Sequence, residues 1–231
     1  MMDGAVVTRQ AKQSDEDGSE AGLVLRDISI SINGAALLDG LDLTVPPGDV
    51  VTVMGPSGSG KSTLLAYVAG FLDKAFTARG DVLLNGADIT TLPAQQRRLG
   101  ILFQDDLLFP HLSVGANLAF GLDAAVRGRR ARRARVEEAL EQAGLAGFYE
   151  RDPATLSGGQ RARAALMRTL LASPRALLLD EPFSKLDRPL RKDIRAFVFG
   201  HARALGLPTL LVTHDHEDAD AADGPVVTLA A

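Results

Sequence analysis

The chain has 231 residues, 46% of them hydrophobic, no cysteine, a net charge of −4 and a pI near 5.6. That is enough apolar material for one large domain with a full core. It excludes disulfides and thiolate metal sites, and a negative chain has no global positive field to draw it to nucleic acid or an anionic membrane.

Met1 to Gly22 is polar and acidic with no apolar stretch of signal-peptide type, so residues 1–22 are expected to form a mobile polar tail ahead of a domain at 23–231. No window approaches about 18 uninterrupted apolar residues, so no membrane span is expected. Leu23 to Asn33 alternates apolar and polar residues, the period of a half-buried strand, and Asn33-Gly34 supplies a turn into a partner strand over Ala36 to Val45. Val50 to Met54 reads as a buried strand, followed by a glycine-rich loop and a helix from Ser62 to about Phe71. Gly80 to Ile89 reads as a further hairpin, and Leu99 to Gln104 as a second core strand. Helices are expected over Val114 to Leu122, Arg132 to Ala143, Ser157 to about Leu171, Arg191 to Leu205 and His214 to Asp223. Strands are expected at Arg175 to Asp180, Thr209 to Thr213 and Val226 to Leu229. Alternating strands and helices imply an α/β core with a mainly parallel sheet, an N-terminal antiparallel β layer and a helical insertion over about 105–155.

The loop after Met54 is Gly55-Pro56-Ser57-Gly58-Ser59-Gly60-Lys61-Ser62-Thr63, which fits G-x-x-x-x-G-K-[ST]. In that pattern the glycines let the backbone curl so that successive N–H groups face phosphate oxygens. Lys61 would reach the β- and γ-phosphates, Ser62 would offer its hydroxyl to Mg²⁺, and the next helix would turn its positive end to the same anion. Asp180 and Glu181 end a buried apolar run: Asp180 is placed to hold Mg²⁺ through water, and Glu181 to polarise an attacking water as general base. Ser157, Gly158 and Gly159, at a helix start and followed by Gln160, form a second anion-binding end.

Together with Gln104, Asp187 and His214, these stretches resemble the ATP-binding cassette (ABC) ATPases over essentially Leu23 to Ala231, with every motif in the family order. The resemblance identifies Gly55 to Thr63 with the Walker A loop, Gln104 with the Q-loop glutamine and Leu156 to Gln160 with the signature motif. Asp180 and Glu181 correspond to the Walker B aspartate and catalytic glutamate, Asp187 to the D-loop aspartate and His214 to the switch histidine. It implies a P-loop NTPase fold, ATP and Mg²⁺, with Ser62, Gln104 and Asp180 around the metal. His214 would bond the γ-phosphate and the attacking water. The family works as head-to-tail cassette pairs, so a second, identical cassette is expected, with membrane permease subunits, a solute-binding protein and a peripheral place on the cytoplasmic face of the inner membrane. The compact length and the run Leu-Phe-Gln-Asp-Asp-Leu-Leu-Phe-Pro-His-Leu-Ser-Val point to importers. Asp105, Asp106, Phe109 and Leu112 are candidate contacts to the membrane partner. The alternatives are a soluble ABC ATPase acting on nucleic acid or ribosomes, and a nucleotide-gated scaffold without turnover.

Two features depart from the pattern or stand outside it. Ile32 falls where the family usually has an aromatic that stacks on adenine, and no tyrosine or phenylalanine is near it in the sequence, which leaves ATP against GTP preference open. The run Arg127, Arg129, Arg130, Arg132, Arg133, Arg135 has no interleaved aromatics and is followed by Glu137, Glu138 and Glu141, so it reads as a solvated helix face and no nucleic-acid partner is expected. His111, His201 and His216 have no partner at metal-ligand spacing and receive no role.

Overall fold

In the computed structural model, residues 21–229 are described. The expected tail at 1–22 lies outside them except for its last two residues, of which Gly22 exchanges hydrogen bonds with Asn85: its N–H donates to Oδ1 at 2.9 Å, and it accepts from the Asn85 N–H at 2.8 Å. The chain divides into two units. The first comprises the described residues up to Leu99, Arg175–Glu181 and the segment from His201 onward; the second comprises Gly100–Pro174 and Pro182–Gly200.

In the first unit, Leu23–Ile32 (β1) buries Leu23, Leu25, Ile28 and Ile30 on one face. Ala35–Val45 (β2) returns antiparallel, with Leu23 opposite Val45 and Ile32 opposite Ala35. Asn33 (φ 50) and Gly34 (φ 80) both take left-handed backbone, as a two-residue hairpin turn requires. On the other side of β1 lies Phe76–Leu84 (β4), followed by the two-residue Ala87–Asp88 (β5), giving a four-stranded sheet in the order β2-β1-β4-β5. The hairpin starts at Phe76, earlier than the expected Gly80, because Phe76 to Arg79 continue the pairing with Ile32 to Ser29. Gly80 sits where that register slips: a Cβ there would meet the Asp27 carbonyl oxygen at 2.4 Å, so only glycine lets the strands close.

The other sheet has the order β6-β7-β8-β3-β9: Leu99–Leu102 (β6), Ala176–Asp180 (β7), Thr209–Thr213 (β8), Val50–Met54 (β3) and Val226–Thr228 (β9). The chain leaves the first unit along β6. All five residues of β3 and of β8 are buried, the signature of strands covered on both faces. Parallel register sets Met54 opposite Thr213 and Asp180 opposite Val212, so β3, β7 and β8 end on one edge. Open α/β sheets bind ligands beyond that carboxyl edge.

Helix Lys61–Ala69 (α1) follows β3 and buries Leu64, Leu65 and Val68, each contributing about 1.5–3 kcal/mol. Its C-terminal end is held by a residue that the sequence left unassigned. Arg97, the last residue of the short helix Ala94–Arg97 (α2), is 5% exposed and donates to the carbonyls of Tyr67 (2.9 Å), Val68 (2.7 Å), Leu92 (2.8 Å) and Thr90. A cation at the C-terminal carbonyls of a helix is favourable.

The second unit packs Val114–Phe120 (α3), Arg129–Gln142 (α4) and Gly158–Leu170 (α5) around Val114, Leu118, Val136, Leu140, Ala164 and Met167. Buried Asn117 pins the preceding loop: it accepts from the Phe109 N–H at 2.7 Å and donates to the carbonyls of Phe109, Leu112 and Ser113. Helix α4 starts at Arg129, three residues before the expected Arg132. The Arg132 guanidinium donates to the carbonyls of Val126 and Ala119 (3.1 and 2.7 Å), which ties the first turn down. Of the arginine run, Arg133 pairs with Glu137 and Glu150 and lies over the Tyr149 ring, and Arg135 pairs with Glu138. The last long helix, Arg188–Ala204 (α6), begins earlier than the expected Arg191, and Pro189 in its first turn costs it no hydrogen bond. Helix His216–Ala222 (α7) follows β8 in the first unit.

Candidate functional site

The glycine-rich loop leaves β3 at Gly55 and enters α1 at Lys61. Gly60 (φ 88) is the N-cap in left-handed backbone, and a Cβ there would meet the Leu37 side chain at 2.8 Å, so conformation and packing both demand glycine. No side chain caps α1 and no acidic residue stands in its first turn. Its leading N–H groups are therefore spared by side chains, as an anion-binding helix end requires. Lys61, 6% exposed, donates to the carbonyls of Gly55 and Pro56 at 2.8 Å each, which folds its ammonium over the loop. Among the described residues the buried Ser59 hydroxyl has no hydrogen-bond partner. Uncapped amides, a buried cation and an orphaned hydroxyl in one loop fit a phosphate group.

Next to the loop, the Ser62 hydroxyl donates to Asp180 Oδ1 at 3.0 Å across 118 residues of sequence. Burial pushes the Asp180 carboxyl up and the Glu181 charge adds to this, while the Ser62 hydrogen bond and the Lys61 charge oppose it. A hydroxyl and a carboxylate are the hard oxygen donors that Mg²⁺ takes. Among the described residues no cluster of three or more His, Cys, Asp or Glu could hold a metal alone. The donor set thus fits a cation whose shell is completed by water and phosphate oxygens.

Glu181 has φ 46, left-handed backbone that a residue with a Cβ rarely adopts. Its N–H donates to the Val212 carbonyl at 2.9 Å, extending the β7–β8 ladder by one residue while the side chain leaves the sheet. Glu181 Oε1 stands 3.0 Å from His214 Nδ1. A carboxylate only accepts, so this bond places the ring hydrogen on Nδ1. The sequence separates these two residues by 33 positions and gave no sign that they pair; the adjacency of β7 and β8 brings them together.

Gln104, Ser157 to Gln160 and Asp187 belong to the second unit. Gln104 is exposed just after β6 and lines a cavity of about 340 Å³ with Asp105, Asp106, Gly158, Arg161 and Lys185. Lys185 pairs with Asp105, and Arg161 with Asp106 at 3.4 Å. Burial pushes the Asp106 carboxyl up, and Arg161 opposes it. Ser157 caps α5 by accepting from the Gln160 N–H (3.3 Å), and the Gln160 side chain accepts from the Ser157 N–H (3.0 Å), a reciprocal capping box. Gly159 has a packing reason of its own: a Cβ there would meet the Leu190 side chain at 2.5 Å. The Asp187 carbonyl accepts from the Arg191 N–H at 2.8 Å at the start of α6.

No aromatic is near Ile32 in the sequence, yet the antiparallel register sets Phe76 directly opposite it on β4. Paired residues share a face with their Cβ atoms about 4.5–5.5 Å apart. A neighbouring strand, invisible to local sequence, thus brings an aromatic residue beside Ile32.

An uncapped helix end with a buried lysine, a hydroxyl–carboxylate pair, and a glutamate and histidine on the same sheet edge define a P-loop nucleoside triphosphatase. A family model described as ABC transporter matches residues 38–184. The chain is 51% identical over 208 residues to the uncharacterised ABC transporter ATP-binding protein YnjD of Escherichia coli K12, covering 90% of this chain and 95% of that one. It is 42% identical to the Fe(3+) ions import ATP-binding protein FbpC 1 of Haemophilus influenzae, covering 90% of this chain and 62% of the relative. It is 44% identical to the sulfate/thiosulfate import ATP-binding protein CysA of Mycobacterium tuberculosis H37Rv, covering 87% of this chain and 57% of the relative. The chain thus spans about three fifths of the length of these two import proteins. The chain belongs to the ABC transporter family, as an ATP-binding subunit with ATPase activity. No helix among the described residues is long and apolar enough to cross a membrane.

Proposed function

We propose that this ATPase drives solute uptake through separate membrane permease subunits, fed by a solute-binding protein, and that two identical copies close around MgATP and part after hydrolysis. It would work peripherally at the cytoplasmic face of the inner membrane. Support for import comes from the names of the iron and sulfate relatives. Support for turnover comes from one observation above the others: Glu181 and His214 bonded at 3.0 Å, beyond the same sheet edge as the phosphate loop. A non-hydrolysing scaffold has no use for that pair.

In this reading the loop Gly55, Pro56, Ser57, Gly58, Ser59, Gly60, Lys61, Ser62, Thr63 binds the phosphates, with Lys61 neutralising the charge that grows in the transition state. Ser62, Asp180 and Gln104 would hold Mg²⁺, which would supply positive charge to offset that of the phosphates. Glu181 takes the proton of the attacking water, and His214 orients Glu181 through Nδ1 while its far nitrogen faces the reacting phosphate. The partner copy's Ser157, Gly158, Gly159 and Gln160 close the nucleotide from the other side, with Asp187 contacting across the pair. In the capping box Ser157 and Gln160 use only their side-chain oxygens as acceptors, so the Ser157 O–H and the Gln160 amide hydrogens are left to donate to phosphate, whereas the backbone N–H groups of those two residues are already engaged. Residues 105–155 form the helical subdomain that meets the permease, through Asp105, Asp106, Phe109 and Leu112.

The test compares wild type with Glu181→Gln in MgATP. Phosphate release should fall by about 10²–10⁴ in the variant, and light scattering should show it as a stable ATP-bound dimer. Equal release from both proteins removes Glu181 from the mechanism. A variant that stays monomeric in MgATP beside its permease subunits removes the paired-cassette reading.

A further inference from the structure

The histidine that bonds Glu181 is held by a small buried network for which the activity gives no direct use. Thr213, the last residue of β8, and Asp218, on the first turns of α7, are each 1% exposed. The Thr213 hydroxyl donates to Asp218 Oδ2 at 2.9 Å and accepts from the Asp215 N–H at 3.0 Å. Asp215 in turn caps α7: its side chain accepts from the Glu217 N–H at 2.8 Å, and its carbonyl accepts from the N–H groups of Asp218 and Ala219 at 3.2 and 3.4 Å. His214 therefore sits between two residues clamped by one hydroxyl. Its own side chain is 58% exposed, and its bond to Glu181 is the one side-chain hydrogen bond it makes among the described residues.

A fully buried carboxylate is an expensive way to fill space, since an apolar residue of the same size needs no hydrogen bonds. What it provides here is polarity. The Thr213 hydroxyl spends its one hydrogen on Asp218, which leaves its lone pairs toward the Asp215 N–H. At 2.9 Å the bond is of ordinary length for a hydroxyl donor, and Thr213 itself is locked in register opposite Met54 of β3. The backbone carrying His214 is thus tied to the strand that leads into the phosphate loop.

We infer that Thr213 and Asp218 form a positioning pair that fixes the backbone of His214, and through it the Glu181–His214 bond, without touching nucleotide. The inference rests on the catalytic reading of Glu181 and His214 proposed above. Displacing a catalytic group by about 1 Å costs roughly 10²-fold in rate, so loss of the clamp falls on turnover and spares binding.

The experiment is a double-variant cycle on the purified full chain, with kcat and KM for MgATP and a nucleotide-affinity measurement. Thr213→Val, which removes the hydroxyl at nearly constant volume, should lower kcat by about 10- to 100-fold with KM and nucleotide affinity within about 2-fold of wild type. Thr213→Ser should restore kcat to within about 3-fold of wild type. In a His214→Ala background, Thr213→Val should change kcat no further, because residues that act as one unit are not additive. If Thr213→Val is poorly folded, Asp218→Asn, which keeps an acceptor and removes the charge, should give a smaller loss of about 3- to 10-fold with the same dependence on His214. Equal losses with and without His214, or wild-type kcat in Thr213→Val, overturn the positioning role alone. Wild-type kcat in His214→Ala overturns the catalytic reading beneath it.

Discussion

Replacing Glu181 separates the chemistry of the site from its burden on the fold. Glu181 holds φ 46, and left-handed backbone costs a residue with a Cβ about 1–2 kcal/mol. Glycine escapes that strain but loses roughly 0.5–1 kcal/mol to its greater freedom in the unfolded chain. The side chain's bond to His214 is partly solvent-exposed, with His214 at 58% and Glu181 at 25%, so it contributes at most about 1 kcal/mol. Glutamine keeps both the strain and a hydrogen-bonding group. Relief of strain therefore offsets the loss of the side chain, and Glu181→Gly should match Glu181→Gln in stability to within about 1 kcal/mol, which for a chain of this size is about 2–4 °C in Tm. Both variants should lose phosphate release by about 10²–10⁴. The measurements are thermal and urea unfolding without nucleotide, and steady-state phosphate release. A glycine variant that melts several degrees below the glutamine variant refutes the assignment of strain to this residue.

Lys61→Met should weaken MgATP binding by more than about 100-fold in calorimetry and cost about 1–3 kcal/mol in urea unfolding, because two part-buried carbonyls lose a charged donor. Arg97→Met should cost about 3–5 kcal/mol in urea unfolding with an unchanged m value, since it strands a buried carbonyl at Val68 and part-buried ones at Leu92 and Thr90; a loss under about 1 kcal/mol would count against its role in anchoring α1. Hydrogen bonds from the Thr90 side chain and backbone hold the Asp88 carboxyl below its ordinary range. A depressed carboxylate stabilises the fold above its unfolded pKa and loses that contribution as pH falls through its folded pKa. Asp88→Asn should accordingly be less stable than wild type at neutral pH, with urea midpoints that converge in acid below the ordinary aspartate range.

The elements most legible in the sequence were those with a strong period or a fully apolar run. Thr209–Thr213 was read to the residue, and Ser157 was placed as a cap. The structure starts helices earlier than expected where charge masks the period, as at Arg129, and at Arg188, where Pro189 stands in a first turn that needs no N–H from it. Helix α2 escaped notice because four residues show no period, although Arg97 within it carries much of the local order. The phosphate loop and Asp180–Glu181 were legible because their chemistry sits in contiguous residues. What was not legible depends on strand neighbours: the Glu181–His214 bond, Phe76 opposite Ile32, and the Thr213–Asp218 pair all arise from register or burial. Gly159 shows the converse, a residue whose motif suggested phosphate and whose surroundings add a packing constraint from Leu190.

The place of β3 in its sheet bears on how the molecule is made. Both of its neighbours, β8 and β9, are synthesised long after it, and Ser62 emerges 118 residues before Asp180. At about 5–20 residues per second, a ribosome takes on the order of 6–24 s to cover that gap. Throughout it the apolar run Val50 to Met54 has two unpaired edges, which template association between nascent chains. Threading the phosphate loop from the middle of the sheet thus hands the growing polypeptide to whatever shields exposed strands, and the ability to split nucleotide comes only once Glu181 and His214 have also emerged.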